Sequence, residues 1–368
     1  MNPGFSRLRV QGFRRLYDLD MKLASVNVLI GTNGVGKTSI LEVMRLLAAA
    51  TTQGHLRNFL SAAGGLPSVM TLGRKESMTL SVTMPLEDGK SQGYVLALQS
   101  SGQGYEITEE KVVDERGQTI WPNQAAGLMP NPFKSSLETA LAQNLVSHKN
   151  AESLRERLTS ISSYHPIDVS PRAPVRLPQT VQIATTPGAN GEDMVSCLYN
   201  LRETDHDRFA SIEDTIRVVF SNFERLELPP AAAGLLSLAW RERPYRHPLY
   251  AHQLSEGTLR FLWLVTLLQS PGLPSVTLID EPEVSLHPEM LRLLVELFRE
   301  ASMRTQLIVA THSDRLVSFL EPSELVVCDL DEEGGMKATR ADDLDIEHWL
   351  RDYSLDQLWQ MGQLGGRA

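Results

Sequence analysis

The sequence predicts an α/β fold with a mostly parallel core sheet, an antiparallel β subdomain and a short helical insertion. Three observations carry this. From Gly257 onward, candidate strands at Val276–Asp280, Gln306–Thr311 and Leu325–Asp329 alternate with candidate helices at Gly257–Leu268, Pro288–Ser302 and Asp314–Leu320. That is the rhythm of parallel strands joined by crossover helices. Near the start, Val26–Ile30 is apolar except for Asn27, close to what a strand buried on both faces needs. It runs into Gly31, and a helical pattern extends from Lys37 to about Ala50. Between these regions, Met78–Met84, Tyr94–Leu98 and Tyr105–Val113 are strand-like runs separated by Gly, Asp and Ser turns, as in antiparallel hairpins.

The remaining elements follow in order. Leu8–Val10 and Asp18–Leu23 are short alternating strands. Ser136–Ser160 reads as a two-helix insertion, without the sustained heptads of a coiled coil. Tyr164–Gly191 carries Pro166, Pro171, Pro174, Pro178 and Pro187, so its middle is not helical and it serves as a crossover between lobes. Helices are expected at Glu192–Leu201 and His206–Phe220, a strand near Leu235–Arg241, and one or two amphipathic helices over Ile346–Met361. These elements divide the chain into an N-terminal lobe (1–135), an insertion and crossover (136–230) and a C-terminal lobe (231–368).

Composition narrows the function classes. The 368 residues suffice for a sizeable core, and 42% apolar with 22% charged residues is ordinary for a soluble globular protein. The longest apolar run, Phe261–Leu268, is far too short to span a membrane, and Met1–Val10 lacks a signal-peptide core. Cys197 and Cys328 lie in apolar runs and read as core residues, which with the missing leader points to a reducing cytoplasm. The net charge of −10 argues against gripping DNA with the whole surface, and leaves a local groove open. Arg241, Arg243, Arg246 and His247 cluster near Trp240 and Tyr245, but Glu242 sits among them, and the group reads as a solvated strand edge.

The chemistry is concentrated in four places. Gly31, Thr32, Asn33, Gly34, Val35, Gly36, Lys37 and Thr38 (GTNGVGKT), followed by Ser39, complete a phosphate-binding loop between a strand and a helix. Its glycines let backbone N–H groups turn inward around phosphate, Lys37 reaches the β- and γ-phosphates of ATP, and the Thr38 hydroxyl ligates Mg²⁺. Val276–Glu281 is an apolar strand ending in two carboxylates: Asp280 to hold Mg²⁺ and Glu281 to polarise water as general base. Leu254–Thr258 precedes a helix, with Ser255 as N-cap. His312 ends the strand one crossover later, and a histidine can donate a hydrogen bond to phosphate in either protonation state.

In that order the motifs resemble an ABC-type ATPase. Ser255, Glu256 and Gly257 stand where the family has its signature loop, Leu-Ser-Gly-Gly-Gln in transporters, which contacts the γ-phosphate bound by the other subunit. His312 stands where the family keeps its switch histidine. Together with Phe13-Arg14-Arg15, Leu254–Phe261 (LSEGTLRF), Leu278–Pro288 (LIDEPEVSLHP), Ala310–Ser313 (ATHS), Tyr353–Trp359 and Gly365–Arg367, these motifs resemble bacterial predicted ATPases. Those are single-head, ABC-fold relatives of RecF, SMC and the OLD nucleases, often labelled AAA-type. The resemblance implies ATP, Mg²⁺ and a head-to-tail ATP-sandwich dimer or higher oligomer. By looser analogy it places Arg14 near the nucleotide. The family's Q-loop glutamine has no clear counterpart in this sequence; Gln179 is one candidate.

Glu256 and Thr258 depart from the transporter signature and, with the antiparallel insertions, weigh against a transporter subunit. A small-molecule kinase would need neither the signature loop nor His312. The acidic Asp329, Asp331, Glu332 and Glu333 read as a turn rather than a nuclease centre, so any nuclease is expected in a separate effector protein. Two readings remain: an ATPase of DNA repair, chromosome maintenance or antiphage defence, and a low-turnover ATP-gated sensor or assembly module for an effector such as a TOPRIM-type nuclease.

Overall fold

Every residue of Val26–Ile30 is buried, and a strand sends successive side chains to opposite faces. Val26, Val28 and Ile30 accordingly enter one hydrophobic cluster and Leu29 another. These clusters are the two core layers, one on each face of a six-stranded sheet. The computed structural model describes residues 4–71, 73, 77–86, 88–102, 104–121, 137–144, 149–344 and 353–364.

The first part folds as β1 (Arg7–Phe13), β2 (Leu16–Lys22), β3 (Val26–Ile30) and α1 (Lys37–Ala49). Two short helices, α2 (His55–Ala62) and α3 (Leu66–Val69), lead to β4 (Ser77–Pro85), β5 (Ser91–Ser101), β6 (Gly104–Asp114) and β7 (Thr119–Trp121). The middle holds α4 (Lys149–Thr159), β8 (Ile161–Tyr164), β9 (Gln179–Thr180), α5 (Met194–Thr204), α6 (His206–Val219) and β10 (Phe223–Glu227). Three short strands follow, β11 (Leu235–Leu236), β12 (Ala239–Glu242) and β13 (Leu249–Tyr250). The rest comprises α7 (Glu256–Gln269), β14 (Val276–Asp280), α8 (Pro288–Ala301), β15 (Gln306–Ala310), α9 (Asp314–Val317), β16 (Leu325–Leu330), β17 (Met336–Arg340) and α10 (Leu355–Gln360).

The core sheet has the order β17-β16-β3-β15-β14-β8 and is parallel except for the β16–β17 hairpin. Its strands come from the beginning, middle and end of the chain. The second six-stranded sheet, β2-β1-β4-β5-β6-β7, is antiparallel throughout. Helix α1 packs between the two sheets, while α5 to α8 cover the opposite face of the core sheet. Asn27, the polar residue of the inner strand, is satisfied: its amide donates to the carbonyls of Ala24 and Leu307, and its oxygen accepts from Ala24 N. Both cysteines are buried and free, with thiols pushed by burial to about 11 at Cys197 and about 12 at Cys328. Arg241 and Arg243 pair with Glu227 and Glu224. Asp331 caps the turn between β16 and β17, accepting from the amides of Glu333 and Gly335.

Three expectations are corrected or shortened. Residues 137–144 form turns rather than the first insertion helix, leaving α4 as the described helix there. These turns are held by Glu110 on β6, whose carboxylate accepts from the amides of Ala140 (2.6 Å) and Leu141 (3.2 Å) and from the Tyr94 hydroxyl. Helix α9 stops at Val317, before the expected Leu320. Gln179 is buried and does not line the cleft beside Lys37: its amide donates to Pro174 O and Gly191 O and its oxygen accepts from Val195 N, fastening the proline-rich crossover. Residues 145–148, the tail stretch 345–352 and Gly365–Arg367 lie outside the described residues.

The Glu110 clasp gives a stability prediction. Glu110→Ala leaves two amides and a phenol buried without their acceptor, each at about 1–3 kcal/mol, so urea unfolding is expected to report a loss of roughly 3 kcal/mol or more. Glu110→Gln, which keeps an acceptor oxygen, is expected to lose much less; equal losses would show that the acceptor is not what matters. Burial raises the Glu110 pKa against the pull of those donors. The linked stability is therefore fully present below the unfolded-state pKa and declines as pH rises through the folded one. Glu110→Gln should remove that dependence.

Candidate active site

The five parallel strands of the core sheet end on one side, where α/β sheets carry their ligands. From β3 the chain enters the glycine loop. At Gly31 φ is +149°, and a Cβ there would lie 2.2 Å from the Cys328 carbonyl oxygen, so the loop leaves the sheet where no side chain fits. Gly34 has φ +75° with open space beside it. Val35 is buried and anchors the loop in the core. Helix α1 starts after Gly36 with no side-chain cap and no acidic residue in its first turn. Its first N–H groups lack intrahelical acceptors and, with the helix dipole, suit a phosphate.

Lys37 is 4% exposed. Its Nζ donates to the carbonyls of Gly31 (2.7 Å) and Thr32 (3.1 Å) and lies 3.4 Å from His312 Nδ1. Burial lowers its pKa, while the carboxylates of Asp280, Glu281 and Glu283 pull the other way. Cys328, with its thiol at about 12, is neutral and adds nothing to that pull. Thr38 is exposed at the cleft, Asn33 is exposed on the loop without lining it, and Ser39 is buried.

Asp280 ends β14 with its side chain 15% exposed, 3.7 Å from His165 Nδ1. Glu281 follows at φ +46°. Such a conformation costs a non-glycine residue of order 1–3 kcal/mol; here the Glu281 amide is fixed to Ala310 O at 2.8 Å. The Glu281 carboxylate lies 3.9 Å from His312 Nε2. One imidazole thus stands between the loop lysine and the strand-end carboxylate. Next to it, Glu283 Oε1 accepts from the Thr311 hydroxyl (2.8 Å) and the His312 amide (2.9 Å).

A cleft of about 330 Å³ is lined by Gly34, Gly36, Lys37, Thr38, Ser39 and His312, with Arg14 and Arg15. That size suits a small ligand. Arg14, itself at φ +46°, is held by Glu42 (3.0 Å), by its amide bond to Val69 O and by the Thr71 hydroxyl, which donates to Arg14 O. Ser255, Glu256 and Gly257 do not line this cleft. Ser255 is the exposed N-cap of α7 and accepts from Thr258 N at 3.1 Å. Gly257 packs so closely that a Cβ would meet Ser285 O at 2.4 Å, and Arg260 of the same helix donates to Ser285 Oγ. Arg176 gathers the carbonyls of Val169, Ala251, His252 and Leu254, bracing the loop from the crossover side.

The donor set fits a magnesium nucleotide. The cradle offers backbone N–H groups, one lysine and two arginines to phosphate, and the Thr38 hydroxyl and Asp280 carboxylate are the hard oxygens Mg²⁺ takes. Residues 26–318 match the family model described as "AAA domain, putative AbiEii toxin, Type IV TA system". The chain belongs to that family. A 61-residue stretch is 48% identical to the DNA replication and repair protein RecF of Vibrio cholerae serotype O1 and of Vibrio parahaemolyticus serotype O3:K6. It spans 16% of this chain and only 15% of those curated relatives.

Among solved structures, the SMC head bound to the C-terminal winged-helix domain of ScpA superposes with TM-score 0.56 at 13% identity, covering 92% of this chain and 98% of that one. An SMC head with an extended coiled coil, bound to the C-terminal domain of ScpA from Pyrococcus furiosus, gives TM-score 0.52 at 10% identity, covering 98% of both chains. At such identities the likeness shows the fold. This AAA-domain family member is therefore a P-loop protein with the ABC/SMC/RecF head fold.

Three neighbours of the site had no assigned role in the sequence reading: Arg15, His165 and Glu283. Arg15 is the second arginine of a turn already singled out. His165 directly follows β8, the strand paired with β14, and Glu283 reaches the end of β15; neither alignment is visible without the strand order.

Proposed function

We propose that this protein binds ATP with Mg²⁺ and hydrolyses it in a composite site formed when two heads pair head to tail. The observation that carries this is the His312 imidazole set between Lys37 Nζ (3.4 Å) and the Glu281 carboxylate (3.9 Å) at the ends of adjacent strands. A γ-phosphate held by Lys37 would lie beside both the histidine and the base. When bound, Mg²⁺ supplies charge neutralisation for the phosphates, with Thr38 and Asp280 as its protein ligands. Lys37 holds the phosphates, His312 donates to the γ-phosphate, and Glu281 accepts the proton of the attacking water. Ser255 and Gly257, away from this cleft, serve the partner's nucleotide.

The output is conformational work on a separate effector, in DNA repair, chromosome maintenance or antiphage defence. RecF and ScpA-bound SMC heads among the similar proteins support that direction. Two buried free thiols fit a reducing cytoplasm, and no helix among the described residues is long and apolar enough to cross a membrane. The half-exposed Glu281 of the single head favours a second reading, a low-turnover ATP-gated module whose output is pairing onto an effector such as a TOPRIM-type nuclease.

ATP binding and steady-state phosphate release by the purified protein test the proposal. Lys37→Ala removes a charge-assisted phosphate contact and is expected to weaken ATP binding at least tenfold, roughly the value of one such bond. Equal affinity in wild type and variant would reject the phosphate-loop assignment. Binding and pairing with negligible turnover would select the second reading.

A further inference from the structure

We propose that Glu283 is a positioning residue that holds His312 at the γ-phosphate. The inference rests on the reading of His312 as a phosphate donor. Strand β15 ends at Ala310, so the amides beyond it need other acceptors. The Thr311 amide finds Leu29 O on β3. The His312 amide bonds instead to Glu283 Oε1 at 2.9 Å. The same oxygen accepts a hydrogen bond from the Thr311 hydroxyl at 2.8 Å, and that hydroxyl oxygen accepts from Ser313 N at 3.0 Å. Ser313 then caps α9 through Leu316 N. One carboxylate therefore fixes the turn that aims the imidazole.

This side chain is not needed to close its own turn. Backbone bonds from Val284 N to Glu281 O and from Leu286 N to Glu283 O do that. It reaches out of that turn to the end of the neighbouring strand. A group that only filled space there would not need an acceptor aimed at a backbone N–H. The second carboxylate oxygen is buried and has no hydrogen-bond partner among the described residues, so Oε1 carries both observed bonds. The arrangement joins the residue two places after the base to the residue that senses phosphate, so base and sensor move as a unit.

The test compares Glu283→Ala, Glu283→Gln and His312→Ala in the full chain. Hydrogen exchange at the His312 amide is read with and without ATP and Mg²⁺, and ATP turnover is read alongside. Glu283→Ala is expected to speed His312 exchange about tenfold or more, the strength of a charge-assisted bond, and to lower kcat by a similar factor with KM for ATP little changed. Glu283→Gln keeps the acceptor and should recover most of both effects. In a His312→Ala background, Glu283→Ala should add little further loss, because the two act as one unit. Unchanged His312 exchange in Glu283→Ala, fully multiplicative losses, or a glutamine variant as impaired as alanine would overturn the inference. Absence of turnover in the wild type would count against the ATPase reading alone, since exchange at His312 still decides the role of Glu283.

Discussion

Glu281→Gln is expected to lower ATP turnover by roughly 10²–10⁴-fold, the usual reach of a general base, while ATP affinity stays close to wild type. Glutamine keeps the size and one acceptor oxygen of Glu281 but takes no proton from water. The backbone at φ +46°, tied to Ala310 O, holds the side chain at the strand end whatever its charge. The variant therefore separates proton acceptance from geometry. Because the triphosphate persists, the variant should also accumulate as an ATP-dependent dimer in light scattering, since ligand that bridges two heads stabilises their pairing. Turnover near the wild-type rate would place the base elsewhere.

The second large effect concerns assembly. Ser255→Arg is expected to abolish ATP-dependent pairing and turnover while sparing nucleotide binding to the single head. The position lies outside the Lys37 cleft, exposed at the start of α7, with Gly257 and Arg260 fixed against Ser285. Loss of the N-cap costs about 1 kcal/mol, so a thermal melt checks that the fold survives. Mixing this variant with Lys37→Ala is decisive. In a head-to-tail pair with one copy of each, one site combines the good Lys37 of the first with the good Ser255 of the second. Neither variant pairs with itself, and each mixed pair holds one sound site against two in the wild type, so partial turnover, up to about half of wild type, should return on mixing if one site can act alone. Normal hydrolysis by Ser255→Arg as a dilute monomer would refute the composite site.

The motifs were legible because each pairs a short spacing with a strand or helix boundary. GTNGVGKT follows a fully buried strand, and Asp280 and Glu281 close another. The parallel core and antiparallel subdomain were also legible, since their periodicities differ. What the sequence could not show is partnership across distance. Residues 139–144 have helical composition, but Glu110 claims two of their amides. Gln179 looks available as a ligand until its neighbours in the crossover spend all its polar atoms. His165 and Glu283 gain meaning only from which strand ends lie side by side.

The position of β3 has a consequence for how the molecule is made. Its two flanking strands, β15 and β16, come from near the other end of the chain, and Asn27 bonds to a carbonyl 280 positions later. The antiparallel sheet, by contrast, is complete within the first third of the sequence. During synthesis the glycine loop therefore emerges early on a strand with neither neighbour yet in existence. Its strand gains both flanks only when residues 306–330 have left the ribosome. Pairings this distant form slowly, because a long loop must close first. Until then the unpaired apolar β3, an inner strand of the finished sheet, is a segment in need of shelter, from a chaperone or from the early sheet itself.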